Sequence, residues 1–256
     1  MSWAAKRRLF IVLIIGAVFV AFLSTLFIAT FYKAPSCTDN IQNQDEAGID
    51  CGGPCQFLCV VEQQPPTVLF TKALENGIGR TSVIASVENK NPHAAAKDVS
   101  YRVRLYSTTH ALVQEVFGTF DLPPGATVPV FIPGIPSGKQ IVASAFLDMA
   151  SSSPQWFTLT TDPRIVPLVS NTKQGGTSSA PRIEATLINP SITVLSNVQV
   201  IVLVRNEKRD VIAASQTIVP TIPAQGKATA TFTWSTAFPG TPASVEVVPI
   251  IPLPDR

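Results

Sequence analysis

Val99-Ser100-Tyr101-Arg102-Val103-Arg104-Leu105-Tyr106 alternates apolar and polar residues without a break. Successive side chains of a β-strand point to opposite faces, so Val99, Tyr101, Val103 and Leu105 share one face while Ser100, Arg102 and Arg104 share the other. One face suits a core and the other suits water, the pattern of an antiparallel sheet covered on one side. Before this strand lies Ala85-Ser86-Val87-Glu88-Asn89-Lys90-Asn91-Pro92, and after it Leu122-Pro123-Pro124-Gly125. About 100 residues later the same order returns. It reads Ala185-Thr186-Leu187-Ile188-Asn189-Pro190, then Val198-Gln199-Val200-Ile201-Val202-Leu203-Val204-Arg205, then Ile222-Pro223-Ala224-Gln225-Gly226. The recurrence predicts two copies of one domain rather than a single large sheet.

Composition agrees with a mainly β chain. Charged residues make up 14%, there are 22 prolines, and the apolar residues fall in short runs rich in Val, Ile, Ala and Phe. Strands are predicted near 67–75, 80–90, 97–107, 112–121, 126–132 and 140–149. A second set is predicted near 164–170, 181–189, 196–205, 210–219, 227–234 and 243–250. Thr161-Asp162-Pro163 marks the boundary between sandwiches at 63–160 and 161–256, and the small residues Gly175-Gly176-Thr177-Ser178-Ser179 read as a mobile loop.

Upstream, Lys6, Arg7 and Arg8 precede an uncharged apolar run from Leu9 to Tyr32 that stops at Lys33. At about 1.5 Å of rise per residue, such a helix covers the roughly 30 Å hydrocarbon core of a bilayer. A cleaved signal peptide also begins with basic residues and an apolar core, but its apolar region is about 7 to 15 residues long. The reading is therefore a single-pass transmembrane helix over 9–32 with residues 1–8 in the cytoplasm. Positive charge is retained inside, which makes Lys6, Arg7 and Arg8 the topology determinants and leaves the bulk of the chain outside.

All four cysteines, Cys37, Cys51, Cys55 and Cys59, lie in the segment 33–62 that follows the helix. Tetrahedral zinc and two disulfides both suit four clustered cysteines. An extracytoplasmic, polar segment with almost no apolar core favours disulfides, and spacing alone leaves all three pairings open. Asp39, Asn43, Asp45, Glu46 and Asp50 offer hard oxygen ligands of the kind calcium takes, though their spacing is not that of an EF-hand, and a solvated acidic turn is the other reading.

The run Cys37-Thr38-Asp39-Asn40-Ile41-Gln42-Asn43-Gln44-Asp45-Glu46-Ala47-Gly48-Ile49-Asp50-Cys51-Gly52-Gly53-Pro54-Cys55 resembles a short cysteine-rich module of bacterial cell-surface and secreted proteins. That resemblance implies a surface location and no activity. The repeated blocks resemble immunoglobulin-like bacterial modules with a Phe-x-Leu-Tyr-Asp signature. Val103-Arg104-Leu105-Tyr106-Ser107 and Val202-Leu203-Val204-Arg205-Asn206 stand at the signature position. It implies immunoglobulin-like β-sandwiches that serve as spacers or interaction domains.

No phosphate loop, dinucleotide fingerprint, nucleophile elbow or zinc-protease pair is present in the sequence. His93 and His110 read as loop residues, and Glu115, Asp121 and Asp148 as isolated, solvated acids. Trp156 and Trp234 read as core or boundary residues. Lysine and arginine total 19 against 17 acids, without a basic patch, which argues against nucleic acid as a partner. The expected protein is non-enzymatic and without a catalytic residue or cofactor, calcium apart. It presents sandwiches for binding or envelope structure, with the bilayer and a protein or envelope component as partners. The alternatives are an accessory subunit of a secretion or pilus assembly and a hydrolase of envelope polymers.

Overall fold

A computed structural model describes residues 3–31, 36–43, 45–149, 154–159 and 161–255. The chain forms two compact units, one up to Gln56 and one from Phe57 onward. Tyr32, Lys33 and the side chain of Lys6 lie outside the described residues.

In the first unit, helix α1 spans Trp3–Phe31. The 24 residues Arg7–Thr30 have a mean hydropathy of 2.9, and none of them is buried within the protein. The helix is long and apolar enough to cross a membrane. Its two threonine hydroxyls are satisfied internally: Thr25 Oγ1 donates to Ala21 O (2.8 Å) and Thr30 Oγ1 to Leu26 O (2.7 Å). Such back-bonding removes polar groups that an apolar surrounding would penalise. At the N-terminal end the Arg7 guanidinium stands 5.6 Å from the centre of the Trp3 ring, a cation–π pair.

The second unit is mainly β. Its strands are β1 (Thr67–Glu75), β2 (Arg80–Glu88), β3 (Ala94–Ser107), β4 (Leu112–Leu122), β5 (Thr127–Pro136), β6 (Val142–Met149), β7 (Trp156–Thr158), β8 (Leu168–Thr177), β9 (Ala180–Ile188), β10 (Leu195–Arg205), β11 (Val211–Ile222), β12 (Lys227–Thr233) and β13 (Ser244–Ile250). Every pairing is antiparallel. Sheet β1-β2-β5 faces sheet β4-β3-β6, to which β7 adds at the start of β3, and together they form one sandwich. Sheet β12-β9-β8 faces sheet β11-β10-β13 in the other.

Alternation in β3 is obeyed residue by residue: Val99, Tyr101, Val103 and Leu105 are buried in the first core, whereas Ser100, Arg102, Arg104 and Tyr106 are only half-buried. In β10 the alternation breaks down. Val198, Val200, Val202 and Val204 enter the second core, yet Ile201 and Leu203 on the opposite face are also buried. They pack with Val211 and Ala214 of β11 against Leu74 and Ile84 of the first sandwich, flanked by Phe70, Phe131, Val248 and Ile250. The outer face of β1-β2-β5 thus rests on the outer face of β11-β10-β13. Burying a side chain the size of Ile84 or Leu203 stabilises by about 1.5–3 kcal/mol, so this third apolar layer is comparable per residue to either core. Arg205 covers its rim, with its guanidinium 5.4 Å from the Phe70 ring centre and paired with Glu246 at 3.3 Å.

Some strand ends differ from the expectation. The stretch read as a mobile loop, Gly175-Gly176-Thr177, is the end of β8, paired with Ala180-Pro181-Arg182 through a turn at Ser178-Ser179. Gly176 makes this turn possible: its φ is +80°, and a Cβ there would collide with the Ala180 carbonyl. Strand β8 therefore runs over 168–177 rather than 164–170. Trp156, expected in the core or at its boundary, is fully buried and starts a strand, β7, that the sequence did not announce.

Two buried asparagines hold the corresponding corners of the sandwiches. Asn89 Nδ2 donates to Ala94 O (2.8 Å) and Pro123 O (2.6 Å), and its Oδ1 accepts from Asn91 N (2.9 Å). Asn189 Nδ2 donates to Thr193 O (2.7 Å) and Pro223 O (3.0 Å), and its Oδ1 accepts from Ser191 N (2.9 Å). Each asparagine knots the turn after one strand to a Pro-containing turn that lies far along the chain. Removing the amide leaves buried carbonyls without donors, at about 1–3 kcal/mol for each orphaned group. Asn89→Ala and Asn189→Ala should each lower the stability of the fragment 57–256 by about 2–3 kcal/mol in guanidinium titration. A loss below about 0.5 kcal/mol, the level of an ordinary surface change, would show that these corners are not structural.

Candidate functional site

The cysteines come first, because their state decides whether they can act. Cys37 is bonded to Cys55 with 5.6 Å between their Cα atoms, Cys51 and Cys59 are also in disulfide linkage, and no cysteine is free. Zinc ligation by thiolates is thereby overturned. Cys37, Glu46 and Cys55 do bring their sulfur and oxygen atoms close together, but both sulfurs are spent in the disulfide.

The acidic residues of this loop are brought together and bound to the backbone. Asp50 accepts from Asp39 N (3.0 Å) through one oxygen and from Asn40 N (2.9 Å) through the other. Asp39 accepts from Ile41 N (3.0 Å) and from Asn43 Nδ2 (3.0 Å). Glu46 is buried, and its Oε2 accepts from Asn43 N (3.2 Å) and Asp50 N (3.3 Å). Asn43 Oδ1 has no hydrogen-bond partner among the described residues, and Asp45 is exposed in the left-handed region at φ 65°. Gly53, also left-handed at φ +56°, lies so close to the Asp45 carbonyl that any Cβ would overlap it. Chemically, three carboxylates here do the work that a hydrophobic core does elsewhere: they hold orphan N–H groups in a chain too short and polar to bury much.

A concave feature lies at the junction of the sandwiches. A cleft of about 510 Å³ is bounded by Tyr101, Phe120 and Phe131 on one side and by Gln199, Ile201 and Pro249 on the other. Burial raises the pKa of the Tyr101 hydroxyl, which keeps it a neutral donor. Of the three charged residues in its lining, Asp98, Asp121 and Arg164, the last two are already occupied. Asp121 accepts from Asp98 N (3.0 Å) and from Leu253 N (2.6 Å). Arg164 makes paired bonds to Asp162 (2.7 and 2.9 Å) and donates to Ile251 O (2.8 Å). These contacts pin the segment after β13 along the first sandwich, where Leu253 is buried against Ala95 and Phe157 and Asp255 pairs with Lys97. The Arg164 guanidinium lowers the pKa of Asp162, and the Lys97 ammonium lowers that of Asp255.

Glu115 and Asp148, read from sequence as isolated solvated acids, each have an arginine partner on the outer face of β3: Arg102 for Glu115 and Arg104 for Asp148. They therefore sit as ion pairs on a sheet surface, an arrangement unlike two carboxylates facing across a scissile bond. Asp121 is also not solvated, since it clasps two backbone amides. His93 and His110 occupy exposed turns as expected, and neither lines the cleft. Trp234 is half-buried at the margin of the second core, edge-on to Phe238 at 5.0 Å. The sequence carried one unread sign of the layer between the sandwiches: Ile84, Ile201 and Leu203 are large apolar residues at positions whose neighbours already fill a core.

No protein-family model and no curated protein matches the sequence. Among solved structures, a transglutaminase from red sea bream is 12% identical, covering 73% of this chain and 29% of its own, with a TM-score of 0.25. A β-glucuronidase from glycoside hydrolase family 2 is 11% identical, covering 82% of this chain and 26% of its own, with a TM-score of 0.21. This chain spans less than a third of either protein, and superpositions that loose transfer no activity.

Asp50→Ala should leave the Asp39 and Asn40 amides without their acceptor. The expected result is reduction of the Cys37–Cys55 bond by dithiothreitol at least several-fold faster, read by timed alkylation and mass; an unchanged rate would show that the acidic loop does not hold the module. For the clasp, Asp121→Ala should lower hydrogen-exchange protection at Leu253 about tenfold or more, in keeping with loss of a charge-assisted bond. Acid should loosen the same segment. Because the folded pKa values of Asp162 and Asp255 are depressed, their contribution is complete above the ordinary carboxylate range and disappears as pH falls through the lowered values. Protection at Leu253 that is equal at pH 7 and pH 2 would contradict this linkage.

Proposed function

We propose that this chain is a single-pass membrane protein with a cytoplasmic N-terminus, whose extracytoplasmic part is a duplicated immunoglobulin-like module. In this reading the pair of sandwiches forms a rigid body that binds a protein or envelope component, or spaces one from the bilayer. One observation carries the proposal: fully oxidised cysteines begin six residues after the last described residue of an exposed apolar helix, Phe31. Disulfides persist in oxidising compartments, so the side of the helix that bears them faces outward. The positively charged flank at Arg7 and Arg8 supports the same orientation.

The matching asparagine corners of the two sandwiches support the duplication. So do the equivalent turns, in which Asn89 N donates to Ala126 O (2.9 Å) and Asn189 N to Gly226 O (3.0 Å). Binding rather than chemistry is favoured by the engagement of Asp121 and Arg164, two of the charged groups at the cleft, in structural bonds. In chain order the disulfide-fastened acidic module follows the apolar helix and precedes the sandwiches.

Topology is the test. In cells producing the chain with a C-terminal epitope, protease added to intact spheroplasts should remove the epitope and degrade everything beyond the apolar run. A protected C-terminus would overturn the proposal, and an epitope released into the medium without protease would show that the helix is cleaved as a signal sequence.

A further inference from the structure

Strand β8 differs from every other strand in the second unit in being exposed at all ten of its residues, Leu168 to Thr177. It pairs with β9 along one edge and with no described strand along the other. Its counterpart in the first sandwich, β1, contributes Val68 and Ala73 to the core and Phe70 and Leu74 to the layer between sandwiches. None of these clusters contains a residue of β8. The cause is in the sequence. Ser170-Asn171-Thr172-Lys173-Gln174-Gly175-Gly176 has no apolar residue to turn inward, so nothing draws the strand onto the facing sheet.

Proteins blunt such edges with charges, prolines, bulges or a covering segment. Strand β13, at the edge of the facing sheet, carries Pro249. Strand β8 has a single charge, no proline, and one irregularity near its start, between Val169 and Asn171. What it offers is a row of backbone N–H and C=O groups, and the group that complements such a row is another extended backbone.

We propose that β8 pairs antiparallel with β8 of a second copy of this chain, joining three strands from each copy into one continuous sheet. The strand is self-complementary in the register that sets Thr172 opposite Thr172 of the other copy, since the same face and the same edge of both strands then meet. Lys173 then faces Asn171, Gln174 faces Ser170, and the two lysines are not opposed. A second copy is the occupant because main-chain bonds on a polar strand are individually weak and need a high local concentration of partner. Copies held by their helices in one bilayer supply that concentration, a step that rests on the membrane-anchor reading above.

The experiment uses the full chain carrying Gln174→Cys, which has no free native thiol to compete for a nitroxide label. It is reconstituted at low density in phosphatidylcholine vesicles. Opposed residues about 5 Å apart and a rise of about 3.4 Å per residue set the two labelled Cα atoms about 14 Å apart, close enough for dipolar broadening. Diluting with unlabelled chain should remove the broadening. Adding Thr172→Pro or Lys173→Pro provides the control, since adjacent N–H groups of a strand point to opposite edges. One of the two should abolish broadening while the near-ultraviolet circular dichroism stays native.

Absence of broadening, or broadening that neither proline alters, overturns the pairing. Immobilisation of the label without broadening after addition of a cell-membrane extract would assign the edge to a strand of another protein and also overturn it. Flotation with the vesicles reports the anchor separately. A chain that floats without broadening sinks only the pairing; one that fails to float sinks the anchor, and its spectrum in solution at matched concentration still decides the pairing.

Discussion

The layer formed by Leu74, Ile84, Ile201, Leu203, Val211 and Ala214 is the constraint on which the second unit depends. Without it, Ile84 and Leu203 would be large apolar side chains in water on the outer faces of two independent sandwiches. With it, β2 and β10 are each covered on both faces, and two domains with their own cores become one body. The cost of fixing two domains relative to each other is offset by apolar area, and the rim adds direction. Arg205 lies over Phe70, and the segment after β13 is held by Asp121, Arg164 and Lys97. Inter-domain motion is the usual expectation where interfaces are small and polar; an apolar, clasped interface restrains it.

The first unit solves a different problem. Its cysteine-rich part has too few apolar residues to offset the entropy of ordering its chain, so covalent bonds and carboxylate acceptors replace a core. A cross-link that closes a loop of about 15 residues contributes on the order of 3 kcal/mol in the chain-entropy model. Asp39, Glu46 and Asp50 then set the conformation within the loop by accepting N–H groups that no strand or helix pairs. Among the described residues, the helix satisfies its threonine hydroxyls by back-bonding to its own carbonyls.

Much of this was legible in the sequence, for identifiable reasons. The apolar run and the alternation in Val99–Tyr106 are strong periodic signals, and the positions of β2, β3, β4 and β12 follow them to within a few residues. The paired asparagines were visible as part of the recurring blocks, although their role in pinning distant turns was not. Other features were hidden because they depend on which surfaces meet. Nothing local marks Ile201 as an interface residue rather than a core residue, since both faces of β10 are apolar. Glu115 and Asp148 looked isolated because their partners, Arg102 and Arg104, are on a neighbouring strand and not nearby in sequence. Gly175-Gly176-Thr177 resembled a loop because glycine and small polar residues are common in loops, whereas pairing with β9 decides its conformation.

Coupling between the sandwiches is the central claim, and the two tryptophans of the second unit report on it from opposite sides. Trp156 lies in the first core and Trp234 at the margin of the second. In the fragment 57–256 labelled with 5-fluorotryptophan, the fluorine resonances of both sites can be followed through a guanidinium titration. A seam that joins the sandwiches into one cooperative body predicts that both native signals disappear at the same denaturant concentration. Two well-separated midpoints would show that each sandwich unfolds on its own and that the apolar layer between them does not couple the pair.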